Sequence, residues 1–236
     1  MRVAYLDCSG GVSGIATLAA LIDAGADVDS ISKELAFLGG GVPILRTEDV
    51  VLREFRALRV SVEGGRAPVG RGLADLEATL SAGGLPDVAL DMALAVYRRL
   101  ADAEARVHGS RRDRVRFHEV GSLRSVVGVV GTALALQQLG IEEVAATKVP
   151  YGRGTVDTEH GRLAVPTPAT LELLRGVPVE PQQGSGEFVT PTGAAILATV
   201  TSTFGDIPAM TIDSIGYGTN APGGAPILLR VVIGSS

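Results

Sequence analysis

The sequence predicts an α/β fold, with α+β as the alternative: a layered domain with a mixed sheet and Gly-rich loops at helix N-termini. Three observations point there. Short apolar runs of strand type alternate with stretches of helical spacing, in the order βα and then αβ. Two helix starts share one signature, Thr167-Pro168 and Thr190-Pro191, with an N-cap residue followed by proline at the first helical position. Glycine clusters fall at the junctions between these runs, where tight turns are needed.

Taken in order, residues 3–6 read as a short buried strand. Asp7-Cys8-Ser9-Gly10-Gly11-Val12-Ser13-Gly14 follows, and then a helix over 15–24. A strand, a Gly-rich turn and a helix start expose N–H groups of the kind that cradle phosphate. Ser9, Gly10, Gly11 and Ser13 are therefore candidate phosphate contacts. The spacing is not that of a Walker A loop or of a dinucleotide fingerprint, and Ser13 also reads simply as a helix cap. Asp7, at the end of its strand, is well placed for function in an open sheet.

Residues 29–38 read as a second helix, stopped by three glycines at 39–41. Residues 50–62 alternate as a strand, and 63–72 form a flexible loop rich in glycine. Helices are expected over 73–80 and 86–107, the second with Leu90, Leu94, Tyr97 and Leu100 on one face. His108, at its end, is expected to be structural. The four arginines of 111–116 read as surface charge or a subunit contact. Ser122 is placed to cap a helix over 126–139, although four valines interrupted by Gly128 also allow a strand at its start. Strands are expected over 143–149, 177–179, 208–215 and 226–233, with a Gly-rich turn at 216–220.

The stretch 149–175 reads as a strand end, a Gly-rich loop carrying His160, and the helix that Thr167 and Pro168 open. Thr190, Pro191, Thr192 and Gly193 open another helix. Helix N-termini attract anions, so Thr167, Thr190, Thr192 and Gly193 are candidates to hold phosphate or carboxylate, as well as plain caps. His118 beside Glu119 offers a general base or a metal ligand.

Length and composition bound the rest. The 236 residues suit one domain, 1–236, with a core built from aliphatic side chains, since aromatics are 4% and Trp is absent. Hydrophobic residues at 46% and charged residues at 20% describe a globular chain. The net charge of −5 argues against a nucleic-acid partner. A single cysteine, Cys8, excludes an internal disulfide and suits a reducing compartment. The N-terminus lacks the apolar core of a signal peptide, and no apolar run approaches the roughly 20 residues of a membrane span. A cytoplasmic protein with no membrane partner is expected, as a homo-oligomer.

Several blocks, YLDCSGGVSG at 5–14, FHEVGS at 117–122, HGRLAVPTPATLELLRGVPV at 160–179, VTPTGAA at 189–195 and IGYG at 215–218, resemble the LarC family of nickel insertion proteins in order and spacing. The resemblance covers nearly the whole chain. It implies a nickel chelatase of the lyase class, which places nickel into pyridinium bisthiocarboxylate mononucleotide with CTP consumed. It implies a small-molecule nucleotide or thiocarboxylate ligand, with nickel and CTP/Mg as the ions and cofactors, the last supplied only by a partner chain. His118, Glu119 and His160 would be catalytic. Asp7, Cys8, His118 and His160 would meet the metal.

This sequence also departs from the resemblance. Ile15, Arg124 and Gly128 stand where family members carry acids, and 64–71 contains no His. Arg124 would repel a cation and instead pair with Asp7 or hold a substrate phosphate. The family's C-terminal region is absent from these residues. Two alternatives follow: a repurposed homologue acting without metal on another sulfur- or nucleotide-containing substrate, or a non-catalytic partner of a CTP-binding chain.

Overall fold

Strand β1, Arg2–Gly10, alternates between two environments. Ala4, Leu6 and Cys8 face the main core, while Tyr5 packs with Ala145 and Val232 on the opposite face. This strand lies inside a seven-stranded sheet in a computed structural model that describes residues 1–38, 44–52, 54–64, 72–117, 119–220 and 227–236.

The first half continues through helices α1, Gly14–Asp23, and α2, Val28–Glu34, then strands β2, Ile44–Leu52, and β3, Phe55–Glu63. Helices α3, Leu73–Ser81, α4, Asp87–Val107, and α5, Leu123–Gln138, follow. The second half holds β4, Glu143–Ala146, β5, Val149–Tyr151, β6, Thr155–Thr158, and β7, Gly161–Ala164. After helix α6, Pro168–Leu173, come β8, Val179–Pro181, helix α7, Pro191–Val200, and β9, Thr203–Phe204. Strands β10, Thr211–Thr219, and β11, Leu228–Ser235, end the chain.

The large sheet runs β2-β3-β10-β11-β1-β4-β9. It is mixed: β1 pairs antiparallel to β11 and parallel to β4, and β10 pairs parallel to β3. The helices cover one face, so the expected layered α/β domain with a mixed sheet is what the chain forms. Helix α1 lies directly on the sheet, with α5 behind it. From Val126 to Leu136 every residue of α5 is buried, which resolves the valine run as helix. Among the described residues no helix is long and apolar enough to cross a membrane.

Four expectations change. Residues 50–62 are not one strand but parts of a hairpin, β2 and β3, whose turn places Glu54 at φ 71°. The run 143–149 splits after Ala146: the Thr147 amide still donates to the Leu6 carbonyl and the Thr147 hydroxyl accepts from the Cys8 amide, but β5 then pairs with β8 in a separate small sheet. The short strand expected at 177–179 lies at 179–181. Residues 216–219 of the Gly-rich turn expected at 216–220 are instead the C-terminal end of β10. The glycines at 39–41 and most of the loop at 63–72 lie outside the described residues.

The reason for glycine in β10 is the approach of α1. A Cβ at Gly216 would lie 2.1 Å from the Ala20 carbonyl oxygen, and one at Gly218 would lie 2.0 Å from that of Ala16. Asp23 fastens the other end of the same contact: it accepts from the Tyr217 amide at 2.8 Å and pairs with Arg56 at 2.8 Å. Gly218→Ala should therefore push α1 off the sheet and destabilise the protein by about 2–3 kcal/mol, typical of overpacking. Urea unfolding measures this as a lower midpoint; an unchanged midpoint would show that α1 can slide at no cost.

Candidate functional site

Backbone geometry brings three helix starts together. The loop after β1 is tied to the loop before α7, with the Val12 amide donating to the Phe188 carbonyl at 2.7 Å and the Thr190 amide to the Val12 carbonyl at 3.1 Å. Helices α1 and α7 thus begin side by side. A Cβ at Gly193 would sit 2.6 Å from the Val12 carbonyl oxygen, so glycine is required there for the approach. Helix α5 crosses close to α1, where a Cβ at Gly128 would be 3.0 Å from the Gly14 carbonyl carbon. Each start is capped by a hydroxyl: Ser13 accepts from the Ala16 amide at 3.2 Å, Ser122 from Ser125 at 3.3 Å, and Thr190 from Gly193 at 3.2 Å.

A cleft of about 530 Å³ opens over these three N-termini, within the roughly 300–1,000 Å³ of small-molecule sites. Ser13, Ile15, Arg124, Thr190 and Thr192 line it from the helices, and Arg59 and Ser61 from β3. Arg124 is the informative side chain. Burial, with the like-charged Arg59 nearby, pushes its pKa below the ordinary value. One terminal nitrogen lies 3.5 Å from the Asn220 carbonyl. Arg59 pairs with Glu48, whereas among the described residues no carboxylate pairs with Arg124. Two guanidiniums and three helix N-termini thus border one cleft, with Glu187 on the wall it shares with the next, and N–H groups and guanidiniums are donors of the kind that can hold an anion.

A second cleft, about 260 Å³, shares Val120, Glu187 and Pro191 with the first. Its walls carry Glu104, His108, Glu159, His160 and Thr167. The expected loop around His160 is a hairpin, β6 and β7, with His160 in its turn and Gly161 at φ 88°. The His160 amide donates to Thr158 Oγ1 at 3.1 Å. Thr167 starts α6 without a side-chain cap bond; its hydroxyl instead lies 3.0 Å from that of Thr170.

The remaining candidates lie elsewhere. Asp7 and Cys8 point to opposite faces of β1. The Asp7 carboxylate accepts from the Ser9 amide at 3.1 Å and the Ser9 hydroxyl at 2.6 Å, and it pairs with Arg230 on β11 rather than with Arg124. Burial works against its charge, but the Ser9 bonds and Arg230 outweigh that and hold its pKa below the ordinary 3.8. Cys8 is fully buried, which pushes its thiol up to about 12. Gly10 is paired in the sheet, and the Gly11 amide donates to the Cys8 carbonyl at 2.7 Å. His118 and the Glu119 side chain lie outside the described residues.

Sequence reasoning missed Arg59, Ser61 and Glu187 in the clefts and the contact of His108 with His160. Arg59 reaches the cleft only because β3 joins the sheet beside β10, and no local pattern announces that.

Residues 4–236 match the family described as Nickel insertion protein. The chain belongs to the nickel insertion protein family. Among curated relatives, the pyridinium-3,5-bisthiocarboxylic acid mononucleotide nickel insertion protein of Desulfitobacterium hafniense is 39% identical over 235 residues, covering 99% of this chain and 58% of the relative. A Geotalea daltonii protein, named provisionally as a nickel insertion protein, is 42% identical over 240 residues, covering all of this chain and 62% of the relative. The chain therefore spans about six tenths of the length of the curated relatives it matches. No solved structure matches it. Within this family member, Ile15 and Arg124 line the first cleft, and Gly128 packs where a side chain would strike α1.

Two outcomes test the local chemistry. Cys8 should resist alkylation at pH 8 in the folded protein and react fully in urea; fast labelling without denaturant would contradict its burial. Asp7 contributes stability that is present above pH 3.8 and lost as pH falls through its lower folded value. Asp7→Asn should therefore flatten the acid limb of a stability–pH curve below pH 3.8; an unaltered limb would remove Asp7 from that role.

Proposed function

We propose that this chain is a nickel insertion module that binds pyridinium bisthiocarboxylate mononucleotide in the Arg59–Arg124 cleft and inserts nickel into it. The observation carrying this reading is Arg124, partly buried beside a second arginine at the meeting of three helix N-termini. A cation in that position is stabilised by an anionic ligand, and a nucleotide phosphate or a thiocarboxylate supplies one. The family favours nickel insertion over the metal-free alternative.

The assignment distributes roles. Ser13, Arg124, Thr190 and Thr192 hold the anionic groups, together with Arg59. Ser9, Gly10, Gly11 and Gly193 shape the turns that start α1 and α7. Asp7 and Cys8 are structural. Thr167 orders the start of α6 beside the second cleft.

Nickel is a substrate here. Forming a nickel–carbon bond on the pyridinium ring breaks a C–H bond; the electron pair passes to nickel and the proton to a base. His118 or Glu119 is the base in this reading, with His160 as a further candidate. CTP and Mg are left to a partner chain or a region beyond residues 1–236.

Calorimetric titration with the mononucleotide tests the reading. The unaltered chain should bind it, and Arg124→Ala should weaken binding by about tenfold or more, the size of one charge-assisted contact. Incubation with nickel and the nucleotide, with and without CTP, should then give a nickel-containing product by mass spectrometry. No binding by the unaltered chain would overturn the assignment.

A further inference from the structure

We propose that His108 and His160 form the fixed half of an exchangeable site for a divalent first-row transition metal, nickel above all, at the second cleft. The geometry is independent of the anion cleft. His108 follows α4, and His160 stands in the β6–β7 turn, yet their rings meet with centroids 4.9 Å apart and planes tilted by 49°. Two imidazoles bound side by side to one metal, at a metal–nitrogen distance of about 2.1 Å, place their centroids roughly 4.5–5.3 Å apart. The observed spacing falls in that window.

The surroundings suit a cation. Glu104, one turn before His108, places Oε2 within 3.4 Å of His108 Nε2. A carboxylate this close to an imidazole lowers the cost of bringing a cation to the pair. Glu104, Glu159 and Glu187 line this cleft, and among the described residues no Lys or Arg does. The adjoining cleft carries Arg59 and Arg124 besides the shared Glu187.

Among the described residues no three metal-binding side chains already converge as a closed site. A carboxylate must swing in to complete the set. His108 is 42% exposed at its side chain, and His160 is also exposed, so the site is open to solvent. An incomplete, open set of imidazole and carboxylate ligands suits a metal that is taken up and passed on, whereas a retained structural metal has a closed ligand shell. The shared wall at Val120, Glu187 and Pro191 places this site next to the anion cleft. The role as a loading site for insertion rests on the function proposed above; the metal site itself does not.

The chain has three histidines, so three variants partition the binding. NiCl2 alone, titrated into the full chain, should bind near one equivalent in calorimetry. Ring-proton resonances of His108 and His160 should broaden first. His108→Gln and His160→Gln should each weaken binding about tenfold or more, with thermal melts unchanged because both side chains are exposed. No Ni²⁺ binding by the unaltered chain would overturn the site, and so would wild-type affinity in both variants, with binding lost only in His118→Gln. Nucleotide binding, measured without metal, separates the two proposals. A chain that binds Ni²⁺ through this pair but no mononucleotide sinks the proposed function and leaves the site standing. A chain that binds the nucleotide but no Ni²⁺ does the reverse.

Discussion

Helix α1 lies against its neighbours at backbone distance, and the rest of the structure depends on that contact. On one side it sits on β10, where Gly216 and Gly218 leave room for the Ala16 and Ala20 carbonyls. On the other, α5 approaches through Gly128 and Gly131, and α7 meets the preceding loop through Gly193. Side chains at these positions would hold the elements apart. With none, the N-termini of α1, α5 and α7 open onto one cleft, and their unpaired N–H groups add to a common positive potential.

Charge is then divided between two adjoining clefts. Arg59 and Arg124 line the first, and three glutamates with two histidines line the second. Glu187 belongs to the wall between them. Keeping the two apart limits the repulsion that Arg124 would exert on a metal held in the same space, since charge interactions weaken with distance and solvent. The proposed reaction, which joins an anionic nucleotide to a divalent ion, would draw on both walls.

Helix starts were legible in the sequence because a cap is a local event. Ser13, Ser122, Thr167 and Thr190 each precede a helix as read, and Pro168 and Pro191 occupy first helical positions. The hairpin of β2 and β3 was less legible, since its turn uses Glu54 at positive φ, where Gly or Asn is the usual signal. The glycines of β10 misled for a different reason. Gly216 and Gly218 look like a turn in isolation, and their cause, the carbonyls of α1, lies about 200 residues away in the chain.

Residue types, caps and motif blocks were thus enough to place the chain in a layered α/β class, to mark Thr190 and Arg124 as ligand candidates, and to suggest the nickel insertion family. Convergence was not readable. That Asp7 turns away from Cys8 follows from strand alternation once β1 runs to Gly10, but Arg230 as its partner requires the pairing of β1 with β11. Arg59 enters the anion cleft through the parallel pairing of β3 with β10, and His108 meets His160 where the end of α4 faces a hairpin. Such meetings are set by the packing of distant backbone segments, and the energy that fixes them is spread over the whole core rather than written into any short stretch of chain.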